Sequence, residues 1–101
     1  MRIYFERSGG FTGIILAVEL DTSRLPNEEA RQLEDMVASL DFFKLPEQFT
    51  SPNPGVDRFE YKITVSKGFR RHTVLVSESV TPEAMRPLLE TLQTAARTQQ
   101  L

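Results

Sequence analysis

A chain of 101 residues with 40% hydrophobic and 26% charged side chains has the composition of one ordinary soluble globular unit, so a single domain over residues 1–101 is expected. Its net charge of −2 supplies no field to gather phosphates, which argues against general nucleic-acid binding. The absence of cysteine removes disulfides, a thiolate nucleophile and any cysteine-ligated zinc site. The opening "MRIYFERSGG" has no signal-like apolar core, because Arg2, Glu6 and Arg7 confine the apolar run to three residues. A cytoplasmic protein with no membrane partner is expected.

In chain order, residues 2–8 alternate as a strand, with Ile3 and Phe5 on one side and Arg2, Tyr4 and Glu6 on the other. "SGGFTG" then leads into a second apolar run, Ile14 to Asp21, which makes it a hairpin connection. Pro26 suits a first helical position, Glu28 and Glu29 favour the positive end of the dipole, and Ala30, Leu33, Met36, Val37 and Leu40 recur at helical spacing. Phe42, Phe43 and Leu45 of "DFFKLP" read as core anchors before Pro46 ends regular structure. The turn-forming stretch Glu47 to Gly55 is the longest expected loop.

From Asp57, "DRFEYKITVSK" alternates with Phe59, Tyr61, Ile63 and Val65 inward; Lys67-Gly68 turns the chain, and "RRHTVLVSE" returns with His72, Val74 and Val76 on one face. Thr81 is expected to cap a last helix with Pro82 at its first position, whose apolar stripe is Met85, Leu88, Leu89, Leu92 and Ala96. The expectation is an α+β fold, ββαββα, with a four-stranded, mainly antiparallel sheet and both helices packed on one face.

Little in this pattern points to catalysis. A phosphate cradle needs its glycine loop to open a helix, whereas "SGGFTG" opens a strand. With His72 as the one histidine, no two-histidine zinc site can form. A triad can be assembled on paper from Ser8 or Ser66 with His72 and Asp57, but nothing distinguishes either serine. No catalytic residue, metal or cofactor is therefore assigned. Two surface features stand out instead: Phe11 within the glycine loop, an anchor type enriched at binding hot spots, and the basic turn "KGFRRH".

Taken together, "ERSGGFTGI", "DTSRLPNEEARQLEDMV", "DFFKLP", "DRFEYKITV", "RRHTVLVSE" and "PLLETL" resemble, in order along nearly the whole chain, the emfourin family. These are small bacterial protein inhibitors of thermolysin-like metalloproteases of the protealysin type. The resemblance implies a non-enzymatic inhibitor that occupies or occludes the cleft of a zinc protease and holds no metal itself; separately, a monomer is expected when the chain is free. For the contact surface, paired glycines that let a backbone approach a narrow cleft suggest Arg7, Ser8, Gly9, Gly10 and Phe11. A second contribution is expected from Ser51, Pro52, Asn53, Pro54 and Gly55 if that loop lies at the same end of the sheet. The glycines would equally serve a plain hairpin. Two other readings stay open: a general protein-interaction module, such as a homodimer joined through the open sheet face, and a small RNA-binding α+β domain using Lys67 to His72.

Overall fold

The computed structural model describes residues 1–9, 15–51 and 59–99. Its centre is an antiparallel pair, β1 (Arg2–Gly9) and β4 (Phe59–Lys67), in register from Arg2 opposite Ser66 to Gly9 opposite Phe59. On the outer side of β1 lies β2 (Leu16–Asp21), antiparallel from Arg2 opposite Asp21 to Arg7 opposite Leu16. On the outer side of β4 lies β5 (Arg70–Ser77), joined to it through Gly68, whose φ of +61° suits a residue without Cβ. The turn residues are Gly68 and Phe69, one position later than Lys67-Gly68, because Lys67 still pairs with Arg70.

The sheet has five strands, not four. Residues Gln48–Phe49, inside the expected loop, form a short strand β3 parallel to β5, giving the order β2-β1-β4-β5-β3 and a mixed sheet. Two residues are too few to show a period of two in sequence. The strand is held from outside, by the Leu75 amide donating to the Glu47 carbonyl at 2.8 Å and by Phe49 packing against the core.

Alternation decides which sheet face is buried. Ile3, Phe5, Leu16, Val18, Leu20, Ile63, Val65, Val74 and Val76 all point to one side and are buried there. Two helices supply the other half of that core: α1 (Asn27–Ser39) through Leu33 and Val37, and α2 (Arg86–Thr98) through Leu88, Leu89, Leu92 and Ala96. The opposite face is polar, with Tyr4 donating to Glu6 Oε1 at 2.8 Å and the Thr64 and Thr73 hydroxyls 2.8 Å apart.

Both helix starts differ from the sequence expectation. Pro26 precedes α1 instead of opening it, a shift of one residue. The larger change is in α2, which begins at Arg86 and not at Pro82. Thr81 does not cap it; its hydroxyl donates back to the carbonyls of Ser77 at 3.2 Å and Glu78 at 2.9 Å. Residues Glu83–Met85 form a 3-10 turn before the helix. A helix opened at Pro82 would need an amide hydrogen at position 87 for its ladder, and proline has none; starting at Arg86 places Pro87 in the first turn, where that hydrogen is not required.

After α1, Asp41 takes a left-handed conformation (φ 50°), and Phe42–Lys44 form a 3-10 turn against β5. Phe42 is buried edge-on to both His72 and Phe43, with centroids 5.8 and 6.3 Å away. His72 donates its Nε2–H to the Leu45 carbonyl at 2.7 Å. The lone histidine thus ties this turn to the sheet. The triad drawn from sequence does not assemble. Ser8 lies at the far end of the sheet from His72, Ser66 faces the opposite side, and Asp57 lies outside the described residues.

Phe42→Ala should cost about 3–5 kcal/mol in urea unfolding, because it empties a fully enclosed site; a cost below about 1 kcal/mol would show that the turn is not anchored there. Burial foremost, then the Glu78 carboxylate, holds the Tyr61 hydroxyl above its ordinary value, against the opposing pull of Arg7 and Arg86. Above a pH of about 10 the unfolded chain releases this proton while the folded chain keeps it, so stability should fall as pH rises through that range. Tyr61→Phe should flatten the fall; identical slopes would contradict the assignment. Part of the slope should survive in that variant, since Tyr4 is also raised, chiefly by its hydrogen bond to Glu6.

Candidate functional site

Register places the sequence-singled residues at one end of the sheet. Ser8 lies opposite Glu60, and Glu60 lies opposite Ser77 on the next strand. The buried Ser77 hydroxyl accepts the amide of Ser51 at 3.2 Å, one strand further on. Ser8, Glu60, Ser77 and Ser51 therefore form a row across β1, β4, β5 and the end of β3. The condition set from sequence, that the two segments share an end of the sheet, is met by Ser8–Gly9 and Ser51. Gly10, Phe11, Pro52, Asn53, Pro54 and Gly55 lie outside the described residues.

Each described residue has a different job. Gly9 is exposed and has φ +100°, a conformation that disfavours any side chain, so a glycine here has a backbone reason whatever else it does. β1 continues two residues along β4 beyond its last pair with β2, so Ser8 and Gly9 extend past the two-sided part of the sheet. Arg7 points to the helix side, where it donates from Nη1 to Gln93 Oε1 of α2 at 2.9 Å and sits 4.4 Å from the centroid of the Phe59 ring. Behind it, Tyr61 stacks on Phe5 with centroids 6.1 Å apart. Arg7 thereby clamps the end of β1 to α2 and β4, a positioning part that sequence alone did not suggest.

Two apolar side chains complete this end. Among the described residues, the exposed large hydrophobics are Ile15 (60%), Phe69 (110%) and Val80 (38%). Ile15 immediately precedes β2 beside the Arg7 pair, and Val80 closes the turn Glu78–Val80 that follows β5. Both therefore share the end that carries Gly9 and Ser51. The signal for Ile15 was present in sequence: once Leu16, Val18 and Leu20 face inward, the residue before them has no place in the core. Nothing comparable marks Val80.

The basic turn occupies the other end. Phe69 is fully exposed at its tip, flanked by exposed Lys67, Arg70 and Arg71. No cluster of three or more histidine, cysteine or acidic side chains suited to a metal occurs among the described residues.

Neither the curated proteins nor the solved structures yield a match to this chain. A protein-family model described as Emfourin matches residues 5–93, which takes in β1 from Phe5, the other four strands, α1, α2 as far as Gln93 and all the sequence-singled residues at the Gly9 end. On that match the chain belongs to the Emfourin family.

Proposed function

We propose that this protein is an inhibitor of a thermolysin-like, protealysin-type zinc metalloprotease, and that it binds the protease cleft with the Gly9 end of its sheet. Emfourin membership suggests a metalloprotease-inhibitor role and a protease partner in general. The reading assigns contact to Ser8, Gly9 and Ser51, with Gly10, Phe11, Pro52, Asn53, Pro54 and Gly55 added by their place in the sequence. Ile15 and Val80 join them as apolar contacts, and Arg7 positions Gly9 through Gln93 and Phe59. The inhibitor acts by occupying the cleft, without chemistry of its own. We place it in the bacterial cytoplasm; no helix among the described residues is long and apolar enough to cross a membrane.

The observation that carries the surface assignment is the convergence of Gly9, Ser51, Ile15 and Val80 at one end of a sheet. A backbone without Cβ at a φ of +100° can approach a cleft closely, and flanking apolar groups can exclude water around it. The framework beneath is hydrogen-bonded and packed, so little order has to be gained on binding at these positions.

Titration of a protealysin-type protease should give stoichiometric loss of peptidase activity, while an unrelated zinc protease should be unaffected. Ile15→Asp and Val80→Asp, both at exposed positions, should weaken inhibition by about 10–100-fold without lowering the melting temperature. Arg7→Ala should lower both inhibition and stability, and Gln93→Ala should reproduce the stability loss. Absence of inhibition at micromolar protein would remove the function. Full inhibition by the folded Ile15 and Val80 variants would remove the surface.

A further inference from the structure

The end of the molecule opposite Gly9 carries two features that the inhibitor reading does not use, and they match each other. One is the β4–β5 hairpin tip. Phe69 is wholly exposed there, and none of Lys67, Arg70 and Arg71 pairs with a carboxylate among the described residues. Arg70 is instead steadied on the Phe43 ring, 4.1 Å from its centroid, which fixes one side of the tip. On a chain of net charge −2 this is a local cationic finger with an aromatic point.

The other feature is a groove of ≈ 310 Å³ between the two helices and the end of β2, lined by Leu20, Leu25, Leu33 and Ala95 with Glu29 and Gln99 on its rim. Gln32, Thr91 and Thr94 complete a lining whose accessible surface is mainly apolar, and the groove's size is at the lower limit for a ligand-sized group, enough for a phenyl ring. Glu28 and Glu29 in the first turn of α1 put two carboxylates on that side of the groove, while Arg2 and Arg24 line the cavity that adjoins it at Leu20, Leu25 and Gln99.

Register places both features at the same end: Leu20 and Asp21 pair with Ile3 and Arg2, and Arg2 pairs with Ser66 next to the Lys67–Arg70 turn. We infer that this end is a self-association surface, in which the Phe69 tip of one copy enters the α1–α2 groove of a second copy and the second tip reciprocates. Because tip and groove share one end, a two-fold arrangement can engage both at once, and it is this closed contact that we infer. The cations of each tip then meet the acidic start of the partner's α1. Two small contacts give a weak dimer, with a dissociation constant on the order of 100 µM, so the chain is a monomer when dilute. Both Gly9 ends face outward in this arrangement and remain available.

A polyanion fits the same tip less well. The cationic patch is bordered by carboxylates, with Glu34 and Asp41 lining the cavity on its helix side together with Lys67 and Arg70, and Glu19 lining the one on its open side with Arg71. A nucleic-acid backbone running across the tip would meet negative charge on both flanks.

Sedimentation velocity on the full chain between about 10 µM and about 1 mM should show a shift from monomer to dimer, and added salt should weaken it. Phe69→Ser, and separately Thr94→Arg at the exposed groove rim, should each weaken dimerisation by at least about 10-fold with unchanged melting temperature. A chain that stays monomeric at about 1 mM would overturn the inference. So would a dimer that tolerates Phe69→Ser but is broken by Lys62→Glu, which would place the contact on the open sheet face. Salt-sensitive binding of a single-stranded oligonucleotide abolished by Phe69→Ser, with no dimer at any concentration, would reassign the tip to nucleic acid.

Discussion

The pairing of β1 with β4 is the contact on which the rest of this structure depends. It joins strands about fifty residues or more apart, and two sets of its eight pairs carry the consequences. The pairs Ile3–Val65 and Phe5–Ile63 place the four most deeply enclosed side chains of the central strands on the helix side. The pairs Ser8–Glu60 and Gly9–Phe59 carry the end of β1 across to β4 and, through Ser77, to Ser51. A slip of one residue would turn Ile3 and Phe5 to solvent, so the buried face fixes the register that assembles the candidate site. Core and candidate site are thus set by the same ladder.

Around that ladder the remaining elements act as braces. Arg7 links the end of β1 to α2 through Gln93 and to β4 through Phe59. Phe42 and His72 lock the turn after α1 onto β5, and the Leu75 amide holds the chain at Glu47 just before β3 begins. These contacts are polar or aromatic and brace a core that is otherwise mainly aliphatic. Their shared effect is to hold the segment boundaries at Gly9 and Ser51 in fixed relation, which an inhibitory surface requires.

What could be read from the sequence was the part governed by local pattern. Strict alternation in "DRFEYKITVSK" and the helical stripe of Leu33 and Val37 gave correct elements with the correct buried faces, because both periods follow from backbone geometry. The order of strands was out of reach, since nothing local tells β1 to pair with β4. β3 escaped because a two-residue strand has no period. The start of α2 was misplaced because two prolines compete for the first turn, and only the position of the second is compatible with a continuous ladder. At the candidate site, Gly9 and Ser51 were visible as residue types, while Arg7 as a clamp and Val80 as an exposed contact required the third dimension.

In the proposed complex the Gly9 end faces the protease. Amide hydrogen exchange of this chain, alone and mixed with a protealysin-type protease, tests that placement. New protection is expected at Ser8, Gly9, Ile15, Ser51 and Val80, with Phe69 and the open-face residues Lys62 and Thr73 unchanged. Protection concentrated at the Phe69 tip or on the open sheet face, with the Gly9 end exchanging as in the free protein, would contradict it.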